Sequence, residues 1–410
     1  MNRLAVRKAW EAVRKPDVCA KPYYVQFEVT THCNLACYMC VRNEVIKHPR
    51  HLAFEDFRRV FDQIRPPTLT LSGAGEPLLN PALSQMIAHA SRQGTRTMIP
   101  SNGTLLLKGD TGKGRSGDAV DARKRGSADA DAAPTLSRSD APTSSVLAAS
   151  LVEAGLNVLK ISIDAATAGT YVAIRRQDCF DKIVEGVRRL GELKKARGTR
   201  SPEIRFDVVI LKENYAEIPD IVRLAHDLDV GTVFFRALQT KGIGSQREEE
   251  IGKDMDFEGL ARAVCTGIRE AARLKVRTNL KDVARDFEAY RSIYLMQDAN
   301  MAGQICLLPW LQCFISVKGE LSPCCATYTN ESFSGGNVFE QPFEAVWNGE
   351  KMQALRRQFK SRRNPFAVCR DCLPRSLPVL LKMNSLLPGF VWGRRSRKGA
   401  CGNCVQPQGK

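Results

Sequence analysis

Strand-like and helix-like signals alternate in step along the first half of the chain, and this alternation limits the fold more than any other feature. Tyr23–Thr30 (YYVQFEVT) and Thr68–Leu71 have the β-branched and aromatic make-up of strands, and apolar residues recur at helical spacing over Phe54–Ile64 and Pro81–Arg92. The pattern resumes with strands at Thr95–Ile99, Val158–Ile163, Ile204–Leu211 and Thr232–Phe235, and helices at Val146–Ala154, Phe180–Lys195 and Ala216–Asp227. Six β/α units in succession predict an α/β fold, a parallel sheet with helices outside and functional residues at the C-terminal ends of its strands. At 410 residues the chain has room for two or three domains of roughly 150 residues each.

One stretch breaks the alternation. Lys108–Ser145 is almost devoid of apolar residues, and its seven basic and six acidic side chains nearly cancel. This composition predicts a disordered insertion in a surface connection, unlike a nucleic-acid arm. The net charge of +17 is concentrated at the other end, where residues 351–410 hold fourteen Lys/Arg against the single acid Asp371. Such an end is either a solvated tail or suited to anionic partners, for example phosphorylated substrates or lipid headgroups. It lacks the interleaved aromatics that stack on bases, so no nucleic-acid partner is expected. Within it, Leu377–Lys398 places aliphatics and Trp392 before a basic run, the pattern of a peripheral contact with anionic membrane or of packing beneath a C-terminal domain. No apolar run approaches the roughly 18 residues of a spanning helix, and the first residues lack a secretory signal, so a cytoplasmic chain is expected. In that compartment fourteen cysteines point to metal or redox chemistry in preference to disulfides.

Three of them follow the first strand in THCNLACYMC, as Cys33, Cys37 and Cys40 with C-x3-C-x2-C spacing. A structural zinc site wants four ligands, which His32 could complete, and a chance cluster of buried thiols is the blander alternative. Three thiolates on a 4Fe-4S cluster instead leave one iron open to a small molecule. The loop resembles the signature of the radical S-adenosylmethionine (SAM) superfamily, which follows the first strand of a partial (β/α)6 barrel. The resemblance extends over about residues 23–235. Gly73-Ala74-Gly75-Glu76-Pro77 is similar to the superfamily's Gly-Gly-Glu-Pro segment, with Ala74 a departure. Glycines at a strand end let backbone come close to a ligand, and Glu76 can accept from an ammonium. Ser101-Asn102-Gly103 and Ser162-Ile163-Asp164 offer groups suited to a ribose, Arg175 could pair with a carboxylate, and Asn214 and Glu217 stand at a later strand end. Each of these alone reads more readily as turn or cap chemistry; their order along successive strand ends carries the resemblance. It implies that Met39, Gly73, Gly75, Glu76, Asn102, Ser162, Asp164, Arg175 and Asn214 contact SAM. The implied activity is reductive cleavage of SAM to a 5′-deoxyadenosyl radical that abstracts hydrogen from substrate, with the electron from a donor such as flavodoxin or ferredoxin.

A second group, Cys306, Cys324, Cys369 and Cys372, can saturate a site by itself. Its surroundings, CLLPW, KGELSPCC, GGNVFEQPFEAVWNGEKMQALR and CRDC, resemble the SPASM/Twitch extension of radical SAM enzymes, with Lys318-Gly319 as a hairpin turn bringing Cys324 back towards Cys306. The run C-x2-C-x5-C-x3-C of the full SPASM pattern is absent after Cys372, so the expectation is one auxiliary 4Fe-4S cluster that accepts an electron from the substrate radical. Cys313, Cys325, Cys401 and Cys404 are left for a second auxiliary cluster, or Cys401/Cys404 for a zinc site with Cys369/Cys372. Isolated Cys19, Cys179 and Cys265 are expected to be buried small hydrophobes. The expected organisation is a basic helix at 1–22, the barrel at 23–240 with its insertion at 108–145, a helical connection at 241–300, the cluster domain at 301–376 and a basic tail at 377–410. The expected function is oxidation of a small metabolite, with anionic ones among the candidates, by dehydrogenation or bond formation. The alternatives are a peptide maturase forming crosslinks, for which 22 residues before the first strand imply a separate leader carrier, and a zinc-containing nucleic-acid binder.

Overall fold

Each strand of the expected series forms, and the register between them sorts apolar and polar side chains onto opposite faces. The computed structural model describes residues 21–40, 42–107, 144–238, 254–295, 306, 308–361, 366, 368 and 369. The basic tail, Cys19, Cys372, Cys401 and Cys404 lie outside the described residues, as do nearly all of the N-terminal helix and the insertion. The strands are β1 (Tyr24–Glu28), β2 (Thr68–Ser72), β3 (Arg96–Ser101), β4 (Val158–Ser162), β5 (Glu203–Ile210) and β6 (Thr232–Ala237), each parallel to the next. Intervening helices are α1 (Phe54–Ile64), α2 (Leu83–Arg92), α3 (Ser144–Glu153), α4 (Ala168–Arg175), α5 (Phe180–Ala196) and α6 (Ile218–Asp227). Helix α4 escaped the periodicity because it is short; Thr167 caps it, its hydroxyl accepting from Thr170 N at 3.3 Å.

Alternation along the strands sets the layers. Val25, Phe27, Leu69, Leu71, Ile161 and Phe206 are buried against the helices, where Phe57 meets Phe27 edge-on with ring centroids 5.1 Å apart. The opposite face carries Tyr24, Gln26, Glu28, Thr68, Thr70 and Ser72, and further along Lys160, Arg205, Asp207 and Arg236. Parallel sheets covered on both faces read as continuous apolar runs. A polar second face therefore marks the side of the sheet left for chemistry.

The sheet is larger than six strands. The expected helical connection contains α7 (Phe257–Leu274), α8 (Leu280–Arg285) and α9 (Phe287–Tyr294), but also a two-residue strand, β7 (Arg277–Thr278), parallel to β6. At the other edge β8 (Gln312–Ile315) pairs parallel with β1, and β9 (Leu321–Ser322) returns antiparallel to β8, giving the order β7-β6-β5-β4-β3-β2-β1-β8-β9. The region expected as a separate cluster domain thus begins by extending the barrel sheet. The reason is the open edge of β1: its unpaired backbone groups are satisfied by β8. The turn between β8 and β9 is the Lys318-Gly319 turn, with Gly319 at φ +86°.

Beyond the hairpin come α10 (Cys325–Glu331), α11 (Phe343–Trp347) and α12 (Glu350–Lys360). Fully buried Trp347 stacks on Phe343 and lies 4.3 Å from the Arg356 guanidinium, whose Nε donates to Pro309 O at 3.0 Å. Phe343 N donates to Gln63 Oε1 of α1, tying this unit to the barrel helices. Among the described residues no helix is long and apolar enough to cross a membrane. Replacing Trp347 by Ala removes the largest side chain of this layer, and denaturant unfolding should show a loss of about 3–5 kcal/mol; a loss under about 1 kcal/mol would mean that the layer is held some other way.

Candidate metal centre

The cysteine loop leaves the C-terminal end of β1 and is tied to three neighbouring strand ends. Gly75 N donates to Thr30 O at 3.1 Å and Glu76 N to His32 O at 2.7 Å, so the segment after β2 runs against the loop as if it were another rung of sheet. Glycine is required by this approach: a Cβ on Gly75 would lie 2.1 Å from His32 O, and one on Gly73, at φ +153°, would lie 2.4 Å from Thr30 O. The close partner of these glycines is the cysteine loop's own backbone. Asn34 carries the tie to β3, donating through Nδ2 to Thr104 Oγ1 at 2.8 Å and accepting from Asn102 Nδ2 at 2.9 Å. The third tie reaches α4, where Tyr38 N donates to Ile174 O at 3.2 Å.

Arg175 is the charged group nearest the sulfurs. Its NH1 donates to Cys37 Sγ at 3.4 Å, and its NH2 donates to Ser162 O at 3.0 Å and ion-pairs with Asp164, while its Nε is buried without a hydrogen-bond partner. Burial works against its charge, but Asp164 and Cys37 outweigh burial and hold the guanidinium charged. Asp164 adopts a left-handed backbone (φ +52°), its Oδ1 accepts from Val209 N at 2.7 Å, and its carbonyl accepts from Asn214 Nδ2 at 2.8 Å. Asp164, Arg175 and Asn214 therefore form one knot joining the ends of β4 and β5 beside Cys37. Met39 and Tyr38 pack with Ile174 and Leu211 on the flank of that knot.

Glu76 is buried, with Oε2 accepting from Asn102 N at 2.7 Å and Oε1 from Leu78 N at 3.1 Å; burial raises its pKa. Both oxygens serve the backbone, which extends the ammonium-acceptor reading: Glu76 also staples the end of β2 to the end of β3. Glu217 acts in the same manner, accepting from Ala166 N, Thr167 Oγ1 and Thr170 Oγ1 at 2.7 Å each. The sequence reading missed Glu28, the buried last residue of β1. Its Oε1 accepts from Ala74 N at 3.2 Å and its Oε2 from Val317 N at 3.0 Å, joining GAGEP to the β8–β9 hairpin. An acid at the inward end of a strand was the available signal.

The donor chemistry fits an iron-sulfur cluster. Burial, opposed by backbone donors, raises the Cys33 and Cys40 thiols, so loading with iron has to displace protons from them. Among the described residues no three His, Cys, Asp or Glu side chains converge tightly enough to hold one metal ion. A cubane binds each thiolate at a different iron corner, so its ligands surround a volume. His32, the candidate fourth ligand, stacks on His51 with ring centroids 4.3 Å apart.

Of the second group, Cys306 is pushed up to about 12, first by burial and then by the nearby Cys324. Cys324 begins α10 and its Sγ lies 3.6 Å from Thr327 Oγ1, and Cys369 is half-buried against the core. Cys313, held in reserve for a second cluster, instead sits in β8 at 1% exposure facing the helix layer, where it packs as an apolar residue. Cys179 and Cys265 are half-buried, less enclosed than expected, because α5 begins just after the one and the other lies on the flank of α7.

Comparison with known proteins places this geometry. The SPASM family, an iron-sulfur cluster-binding domain, matches residues 306–373. A tungsten-containing aldehyde ferredoxin oxidoreductase cofactor-modifying protein from Pyrococcus furiosus is 21% identical, over 93% of this chain and 94% of its own length. An AdoMet-dependent heme synthase from Methanosarcina barkeri is 23% identical, over 82% of this chain and 85% of its own. In fold, the chain is similar to Streptococcus suis SuiB bound to the precursor peptide SuiA, with TM-score 0.59 at 14% identity over 92% of this chain and 77% of the other. Residues 306–373 are thus a C-terminal iron-sulfur SPASM domain, and the chain that carries it is similar along most of its length to radical SAM enzymes.

Proposed function

We propose that Cys33, Cys37 and Cys40 hold the SAM-binding 4Fe-4S cluster and that Cys306, Cys324, Cys369 and Cys372 hold one auxiliary cluster, in an enzyme that oxidises a small metabolite. The observation that carries this reading is the three-way tie of the cysteine loop to the ends of β2 and β3 and to α4, at the C-terminal edge of the sheet. When bound, the first cluster with SAM supplies a 5′-deoxyadenosyl radical for hydrogen abstraction and the second supplies an acceptor for the electron left on the substrate.

The chain's own residues supply charge and position. Arg175 donates to the Cys37 sulfur and is itself oriented by Asp164. Met39, Gly73, Gly75, Glu76, Asn102, Ser162, Asp164, Arg175 and Asn214 ring the mouth of the sheet as the SAM-facing set. The pairing of β8 with β1 sets the Cys324 segment beside the same polar face. A soluble carrier such as flavodoxin or ferredoxin is the proposed electron source. The two relatives that match along most of their length are named for modifying an oxidoreductase cofactor and for synthesising heme, which favours a small molecule; the peptide complex of SuiB motivates the crosslinking alternative. Cytoplasmic placement, and contact of the basic tail with an anionic membrane, belong to the same proposal.

In anaerobically reconstituted protein, Cys37→Ala should abolish 5′-deoxyadenosine formation, whereas Cys324→Ala should retain SAM cleavage and lose substrate oxidation. Product formed by Cys324→Ala at the normal rate would remove the auxiliary cluster from the chemistry. Gly75→Ala should lower bound iron and SAM cleavage together while leaving the circular dichroism spectrum unchanged, since the new methyl displaces the loop at His32 O at a cost of roughly 1–3 kcal/mol. Normal iron content in that variant would show that the loop position is not set by this contact.

A further inference from the structure

The polar face of the sheet carries a group of cations below the candidate SAM site. Lys160, at the middle of β4, is 6% exposed and, among the described residues, has no hydrogen-bond or ion-pair partner. Across the sheet it stands level with Arg205 of β5. Arg205 Nε and NH2 donate to Asp207 at 2.5 and 2.8 Å, and Arg236 of β6 also pairs with Asp207. Lys160, Arg205 and Arg236 thus gather about Asp207. Burial opposes ionisation of Asp207, yet Arg205 and Arg236 bring it down to about 2. The Arg236 Nε is buried without a hydrogen-bond partner. Charge enclosed without a counter-charge is costly.

Both Arg205 and Arg236 lie over the ring of Phe234, at 5.3 and 5.5 Å, which holds the two guanidinium groups at one level.

We infer that Lys160, Arg205 and Arg236 bind an oxyanion of the substrate, a carboxylate or a phosphate, and so hold the substrate beneath the SAM-facing mouth of the sheet. This rests on the reading of the polar face as the substrate side. It also makes the site pH-sensitive. Burial, then Arg205, lowers Lys160 to about 7, with Asp207 acting in the other direction and Arg236 and Arg96 reinforcing the shift. The cationic form is the binding form, so affinity is greatest below that value and falls as pH rises through it.

The test is calorimetric titration of the full-length, anaerobically reconstituted protein with sodium sulfate and, separately, sodium acetate, in the presence of saturating SAM and against sodium chloride at matched ionic strength. Sulfate keeps its charge across the range and stands for a phosphate, while acetate stands for a carboxylate. The expected result is saturable binding of at least one of them, weakened about tenfold or more in Lys160→Met, retained in Lys160→Arg, and weaker at about pH 8 than at about pH 6. Arg236→Gln should weaken it likewise, and carries the test if Lys160→Met does not fold. Binding no stronger than chloride, displacement of the anion by SAM, or equal binding in Arg236→Gln and the wild type would overturn the inference. None of these readouts depends on SAM cleavage, so failure here is distinct from failure of the cluster assignment.

Discussion

Two backbone hydrogen bonds, Gly75 N to Thr30 O and Glu76 N to His32 O, set the position on which the rest of the site depends. They require a backbone approach that only glycine permits at residues 73 and 75, and they bring the thiol-bearing loop against the end of β2. Once there, the loop is reached from β3 through Asn102 and Asn34, and from α4 through Arg175 and Ile174. The carboxylates that staple the strand ends, Glu28, Glu76 and Asp164, are buried and spend their oxygens on backbone donors or on Arg175. A site so assembled is stiff before any cofactor enters, which is what positioning of a reactive radical needs.

Local signals made the first half of the fold legible. The expected strands at Val158–Ile163 and Ile204–Leu211 differ from β4 and β5 by one residue at an end, because β-branched content and burial agree there. The edges were not legible. Thr278 and Gln312 lie in short strands whose existence depends on a partner already being in place, β6 for β7 and β1 for β8, and no short-range pattern encodes a partner 45 or 288 residues away.

The site shows the same division. The spacing of Cys33, Cys37 and Cys40 and the GAGEP segment were readable because their residue types are scarce and their order along strand ends is informative. Glu28 and Lys160 were not singled out, although YVQFE and VLKIS already show polar residues alternating with apolar ones in strands that a doubly covered parallel sheet would leave apolar throughout. Alternation in a parallel strand is the signal of an inward polar face. It becomes decisive only when neighbouring registers align Lys160 with Arg205 and Gln26 with Thr70.

The central claim is that the three loop thiols leave one iron corner open for SAM. Electron-nuclear double resonance on the reduced, reconstituted protein with SAM labelled at its methionyl nitrogen and carboxylate oxygen tests it most directly. The account predicts hyperfine coupling of both labelled atoms to the loop cluster, present in the wild type and absent when Cys33, Cys37 and Cys40 are replaced. A cluster that forms with a fourth protein ligand such as His32, and shows no coupling to either label, would contradict it.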